Sequence, residues 1–160
     1  MLFDPKSIAL KGDFSLHAIK PTALEVVRLD EKAVLPVKAH DTDLGYDLFA
    51  LEDTEIAPGG VTKIRTGIAC NFPKGYGALI RDRSSVATKR ELFVVAGVID
   101  QEYTGEIIIA MYNPGDLDRF MAGEKIAQMI LTPVITFPVR ETTKVEDTAR
   151  GANGFGSTGQ

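Results

Sequence analysis

Arg150, Phe155, Gly156, Ser157 and Thr158 stand in the final stretch Arg150-Gly-Ala-Asn-Gly-Phe-Gly-Ser-Thr-Gly-Gln160, which is too rich in glycine to form helix or strand. That composition suits a phosphorylated ligand. Glycine allows positive φ and close backbone approach, so successive N–H groups can point at one anion, while the guanidinium and two hydroxyls supply further hydrogen bonds. Phe155 can cover a flat base. An unstructured Gly/Ser terminus has a similar composition, but the arginine and the ring argue against that reading. A Walker-type loop is excluded, because no lysine follows Gly156 and no chain remains for the helix such a loop opens.

Three further groupings carry chemistry. Arg81-Asp-Arg-Ser-Ser85 places two guanidiniums and two hydroxyls at an expected strand-to-helix junction, where exposed N–H groups favour an anion. A capping serine beside an Asp82–arginine salt bridge explains the same residues. In Ala96-Gly-Val-Ile-Asp-Gln-Glu-Tyr-Thr-Gly105 and the apolar run after it, the pattern is that of a β-hairpin with Asp100 at its lip and Gly105 available for positive φ. A carboxylate there can orient and deprotonate a water, help typically worth roughly 10²–10⁴-fold, and Tyr103 can stack on a sugar or base. Ordinary turn and cross-strand chemistry is the competing explanation. Lastly, the acids of Asp41-Thr-Asp-Leu-Gly-Tyr-Asp47 with Glu52 imitate a calcium loop, but Tyr46 stands where an EF-hand needs glycine and the flanks are strand-like. Asp47 can instead orient waters on a magnesium ion carried in by a phosphate ligand, or simply cap a turn. His17, His40 and Cys70 lack zinc-site spacing, and no Gly-x-Ser-x-Gly elbow occurs.

The elements that must position these groups are mainly strands. Val61 to Phe72 alternates apolar and polar residues with the period of a half-buried strand. Gly77 to Ile80, Leu92 to Ile99, Glu106 to Tyr112 and Met129 to Ile135 are short apolar runs separated by turn residues, at the spacing of a sandwich or barrel. Ser84 to Arg90 is the one clear short helix, with serines at its start and Lys89 and Arg90 at its end; Gly123 to Ile130 is ambiguous. At 160 residues the chain is expected to be one domain, burying roughly 70% of its unfolded surface. Its net charge of −4 argues against a broad nucleic-acid face. No apolar run approaches the roughly 18 residues of a membrane helix, residues 1–20 lack the pattern of a signal peptide, and a lone cysteine suits a reducing compartment. The expectation is a cytoplasmic protein, or a nuclear one in a eukaryotic or viral setting, that binds a nucleotide and neither nucleic acid nor membrane.

Taken together and in order, five segments closely resemble the motifs of the trimeric deoxyuridine triphosphatases (dUTPases): Asp43-Leu-Gly-Tyr-Asp-Leu48, Arg83-Ser-Ser85, Gly97-Val-Ile-Asp-Gln-Glu-Tyr-Thr-Gly105, Gly123-Glu-Lys-Ile-Ala-Gln128 and the terminal glycine-rich stretch. The resemblance runs from about residue 24 to the end. It implies a jelly-roll-like, mainly β domain over 24–140, a flexible arm over 141–160, and an extension over 1–23 of unassigned role, open to a protein partner. It also implies a homotrimer with active sites shared between chains, and magnesium-dependent hydrolysis of dUTP to dUMP and pyrophosphate. By motif match, Asp100 holds the water that attacks the α-phosphorus, Ser84 and Gln128 contact the phosphates with Arg83 and Ser85 beside them, and Arg150, Ser157 and Thr158 grip the far end. Phe155 and Gly156 lie over uracil, Tyr103 packs on deoxyribose, and Asp47 lies near the metal's waters. Backbone groups of Gly97, Val98, Ile99 and Ile108 would read the base.

The chain departs from the family pattern at Lys125, where arginine is common, at Leu44, where alanine is usual, and at Ser85, where glycine is frequent. Arg-Ser-Ser also occurs in the related dCTP deaminases, but Ala110 and Thr88 stand at the positions matching the glutamate and arginine those enzymes use. A nucleotide-dependent regulatory protein acting through the N-terminal extension is the reading from another class.

Overall fold

The computed structural model describes residues 23–149 and 151. Within them lie eleven strands and one helix: β1 Glu25–Arg28, β2 Tyr46–Phe49, β3 Thr54–Ile56, β4 Gly60–Arg65, β5 Ile68–Asn71, β6 Tyr76–Arg81, α1 Ser84–Lys89, β7 Phe93–Val95, β8 Val98–Ile99, β9 Ile108–Asn113, β10 Asp118–Phe120 and β11 Lys125–Pro133. Two antiparallel sheets dominate, one in the order β2-β11-β6-β8 and the other β4-β9-β7; β1 with β5 and β3 with β10 form two-stranded additions. This is a mainly β, jelly-roll-like architecture. Alternation drives it: along β9, Ile109, Met111 and Asn113 are buried while Ile108 and Tyr112 are exposed. Leu48, Ile56, Ile64, Leu92, Phe120, Ile126 and Met129 complete one continuous core, which also contains the thiol of Cys70. The buried Asn113 is satisfied, its Nδ2 donating to the Ile56 and Asp116 carbonyls and its Oδ1 accepting from the Gly115 N–H.

The apolar runs break where the backbone changes hand. The single strand expected over Val61 to Phe72 is interrupted at Thr66 and Gly67, because Gly67 has φ 69° and a Cβ there would lie 2.8 Å from Leu51 Cδ1. The break moves the chain from β9, the partner of β4, to β1, the partner of β5. The run Leu92 to Ile99 breaks likewise at Ala96 (φ 63°) and Gly97 (φ 91°), after which the chain leaves the three-stranded sheet and joins β6 in the other. Consequently β8 and β9 do not pair, and the expected hairpin is instead a loop joining strands of different sheets. Gly105 has no positive φ; it serves close approach, since a Cβ would lie 2.5 Å from the Tyr103 hydroxyl.

Helix α1 forms where expected, but its cap differs. The N-cap is Arg83 in extended conformation without a side-chain cap bond, while Val86 anchors the helix in the core. Asp82 makes no arginine salt bridge among the described residues; its Oδ1 accepts from the Val94 N–H at 2.5 Å. The ambiguous segment Gly123 to Ile130 is largely strand β11. No helix among the described residues is long and apolar enough to cross a membrane.

Candidate functional site

Register assembles the first half of the site. Gln128 on β11 lies opposite Asp47 on β2 and opposite Arg81 on β6, so three polar residues form one row across the sheet. Lys125, three residues before Gln128, would face the other side of a regular strand. A register shift between Lys125 and Ala127 supplies the extra residue that pairs Lys125 with Phe49, two positions from Asp47, and so brings it to the face of Gln128.

The outcome is a polar hollow of about 310 Å³ lined by Asp43, Gly45, Asp47, Arg83, Ser84, Lys125 and Gln128, among others. Arg83 Nε donates to Asp47 Oδ1 at 2.8 Å and Lys125 Nζ to Asp47 Oδ2 at 2.7 Å. One carboxylate thus organises two cations, and with Asp43 the wall carries two acids against two cations. Gln128 Nε2 donates to the Asp82 carbonyl at 2.7 Å, which fixes the amide orientation. Gly45 makes room for it, since a Cβ there would fall 2.3 Å from Gln128 Oε1. The Asp43 carboxylate accepts from the His40 N–H, which holds its pKa below the usual value. Ser85 faces an adjoining hollow with Lys89 and Arg90, whose walls include Arg83 and Lys125 as well. Arg90 buttresses that side: it donates to both oxygens of Asp118 and to Glu124, and it lies 3.8 Å from the centre of the Phe120 ring. These bonds hold the Asp118 carboxyl below its ordinary pKa and raise that of Arg90.

The second half lies at the other end of β6. Asp100 follows β8 and lines an open cleft of about 590 Å³ with Gln101, Glu102, Tyr103 and Val134. Gln101 Oε1 accepts from the Gly75 N–H at 2.6 Å, the Tyr103 N–H donates to the Asp100 carbonyl at 3.1 Å, and the Tyr103 hydroxyl donates to the Glu106 carbonyl at 3.0 Å. The Glu106 carboxylate in turn accepts from the Gly67 N–H and Arg65. Gly97 must be close-packed, for a Cβ would lie 2.9 Å from the Ile80 carbonyl oxygen, and the Ile80 N–H donates to the Gly97 carbonyl. Val98 and Ile99 pair with Leu79 and Ala78. Ile108, by contrast, pairs with Arg65 in the other sheet and does not line this cleft.

Ile99 pairs with Ala78 whereas Gln128 pairs with Arg81. Continuing that register to Asp100 separates it from the Gln128 row by four residues of β6, roughly 13 Å. The residues expected to act together therefore occupy two places in one chain. Arg150, Phe155, Gly156, Ser157 and Thr158 lie outside the described residues. Reading by type passed over Lys125 as a group on the pocket wall, together with the loop anchors Gln101 and Glu106. Only a bulge or a long-range hydrogen bond reveals them, and neither has a local signature.

Comparison with known proteins gives the same family at three levels. The dUTPase family model matches residues 31–159. The deoxyuridine 5'-triphosphate nucleotidohydrolase of Gloeothece citriformis is 43% identical over 139 residues, covering 85% of this chain and 96% of the relative, and that of Clostridium novyi is 42% identical, covering 85% and 98%. Among solved structures, the Staphylococcus bacteriophage 80alpha dUTPase with dUpNHpp superposes with a TM-score of 0.80 at 29% identity, covering 86% of this chain and 99% of that one. A mutant dUTPase from phage phi11 of S. aureus, whose structure reveals the coordination of a structural Mg(II) ion, matches with a TM-score of 0.73 at 27% identity, covering 79% of this chain and 100% of that one. With a family model spanning most of its length and relatives above 40% identity, the chain belongs to the dUTPase family.

Proposed function

We propose that this chain hydrolyses dUTP to dUMP and pyrophosphate, as a homotrimer whose sites are shared between chains. The observation that carries the reading is the union of a hollow bearing arginine, lysine and serine with a separate cleft holding an aspartate and a tyrosine, in a chain whose relatives are named for this reaction.

Ser84, Gln128 and Arg83 bind the phosphates, with Ser85 beside them. Tyr103 packs on the deoxyribose, and backbone groups of Gly97, Val98, Ile99 and Ile108 read uracil; a buried mismatch with cytosine would leave polar groups unpaired. Asp100 orients a water and takes its proton as the water oxygen bonds the α-phosphorus. The bond from that phosphorus to the α–β bridging oxygen breaks, and the electron pair leaves with pyrophosphate. Arg150, Ser157, Thr158, Gly156 and Phe155 of the arm over 141–160 close over the ligand. The roughly 13 Å along β6 between Asp100 and the Gln128 row in one chain supports a site that joins the cleft of one chain to the hollow of another, because attack needs the water and phosphorus close together.

Among the described residues no three acids, histidines or cysteines gather as a metal site. Asp47 and Asp43 on the hollow's wall fit a magnesium ion that arrives with the triphosphate and keeps most of its waters. When bound, that ion neutralises phosphate charge and orients the chain of phosphates. Residues 1–22 of the extension over 1–23 lie outside the described residues, and its assignment as a docking arm for a protein partner is tested by pull-down with and without it. A cytoplasmic location accords with the buried, unpaired Cys70.

Phosphorus NMR with magnesium and, separately, dUTP, dCTP, dTTP and UTP tests the reading. Pyrophosphate and dUMP from dUTP alone are expected. Ammonia release from dCTP would replace hydrolysis with deamination, and dUTP binding without turnover would replace the enzyme with a nucleotide-dependent regulator.

A further inference from the structure

We infer that Lys125 is a phosphate-binding residue held in reserve on Asp47: its ammonium leaves the carboxylate for the phosphate chain when the nucleotide arrives. The inference rests on the triphosphate reading above and adds a residue to it.

Three observations carry it. The first is aim. The register shift in β11 turns Lys125 onto the face of Gln128, beside Ser84 and Arg83, on the wall of the hollow assigned to phosphate. The second is unused capacity. An ammonium has three donors, and Asp47 Oδ2 at 2.7 Å is its one carboxylate partner among the described residues. Arg83 reaches Asp47 through Nε, and its two terminal nitrogens make no hydrogen bond among the described residues. The third is the ease of exchange. The Lys125 side chain is 39% exposed, and pairs with such access contribute little net stability. An arginine, common at this position in the family, can fork both carboxylate oxygens and stay. A lysine is a point charge on a flexible stem that holds one oxygen and can move to a more highly charged acceptor.

The same exchange resolves a conflict within the site. Both oxygens of Asp47 are engaged by cations, yet Asp47 is bonded directly to Arg83, one of the side chains assigned to phosphate. Departure of Lys125 leaves Oδ2 available when ligand binds, with no movement of β2 or β11.

Titration calorimetry of the trimer with the α,β-imido analogue of dUTP, and NMR titration with deoxyuridine, test this in Lys125→Met and Lys125→Arg. Lys125→Met should weaken the imido analogue roughly tenfold or more, the scale of one charged hydrogen bond, while deoxyuridine binds as before. Lys125→Arg should recover part of the loss. Unchanged analogue affinity in Lys125→Met would overturn the inference, and so would equal losses for analogue and deoxyuridine, which mark a structural role. Should Lys125→Met fold poorly, Asp47→Asn gives a second readout. Freed of its carboxylate, Lys125 should bind inorganic pyrophosphate several-fold more tightly without metal, and Lys125→Gln in that background should abolish the gain. A gain that survives there would also overturn it. If wild-type protein releases no pyrophosphate from dUTP while Lys125→Met still weakens binding of inorganic pyrophosphate, the dUTPase reading fails and the phosphate assignment stands.

Discussion

The Asp47–Gln128 hollow and the Asp100 cleft are built by different means. In the hollow, Asp47 and Gln128 stand in one row of a four-stranded sheet and are tied to their surroundings, Asp47 to Arg83 and Lys125 and Gln128 to the Asp82 carbonyl. In the cleft, the reactive aspartate lies just beyond a two-residue strand, and its loop is tied down by neighbours, Gln101 to Gly75 and Tyr103 to Glu106. The first arrangement presents charge on rigid strands, which suits holding an anion. The second leaves the Asp100 carboxylate open on a pinned loop, which suits holding a water. Binding and chemistry are thus separable here, and substitutions should separate them.

The largest effect is expected at Asp100. Asp100→Asn should lower kcat roughly 10²–10⁴-fold, the range for a lost general base, with affinity for the imido analogue retained; near-normal kcat would remove Asp100 from the mechanism. Sharing between chains is tested by mixing Asp100→Asn with Gln128→Ala chains. At substrate well below KM, trimers containing both should exceed the average activity of the two parents, because one interface joins an intact cleft to an intact hollow. No recovery after verified subunit exchange would argue for sites within single chains. Gly45→Ala comes next: the new Cβ would displace the Gln128 amide, and KM should rise roughly tenfold, the scale of one lost hydrogen bond to a charged group, with a smaller change in kcat. An unchanged KM would detach Gln128 from phosphate binding.

The smallest effect concerns acid stability. Hydrogen bonding to Arg90 depresses the Asp118 pKa below the ordinary aspartate value of about 3.9. Its stabilisation is therefore complete above about pH 4 and disappears as pH falls through the lower folded value. Asp118→Asn should cost about 1 kcal/mol at pH 7 and less in acid, measured by urea unfolding at both pH values. A constant difference would show that lost packing, not charge, is responsible.

Strand content was legible because alternation is local: β4, β6 and β9 lie within or close to the apolar runs that announce them. The breaks were less so. The apolar pattern continues through Ala96 and Gly97, and alanine gives no hint of φ 63°; the chain takes that conformation because β7 and β8 must join different sheets. The same long-range demand dissolved the expected hairpin. In the site, residue types announced Asp47, Arg83, Ser84, Asp100 and Tyr103 as candidates, and the family resemblance added Gln128. Their division between two places depends on which strands pair and in what register, a property of distant segments. Lys125 is the sharpest case, since a plain reading of β11 puts it on the wrong face and only the register shift corrects it.

Cys70, the sole thiol of the chain, has a consequence for experiment. It lies at 2% exposure in the core, and burial pushes its pKa up to about 11. At neutral pH its reactive thiolate is then on the order of one part in ten thousand. Alkylating reagents would reach it almost only when the sheets open, so the rate of its modification clocks opening of the core. A cysteine introduced on the surface would meanwhile carry a spin label or fluorophore with no competing background.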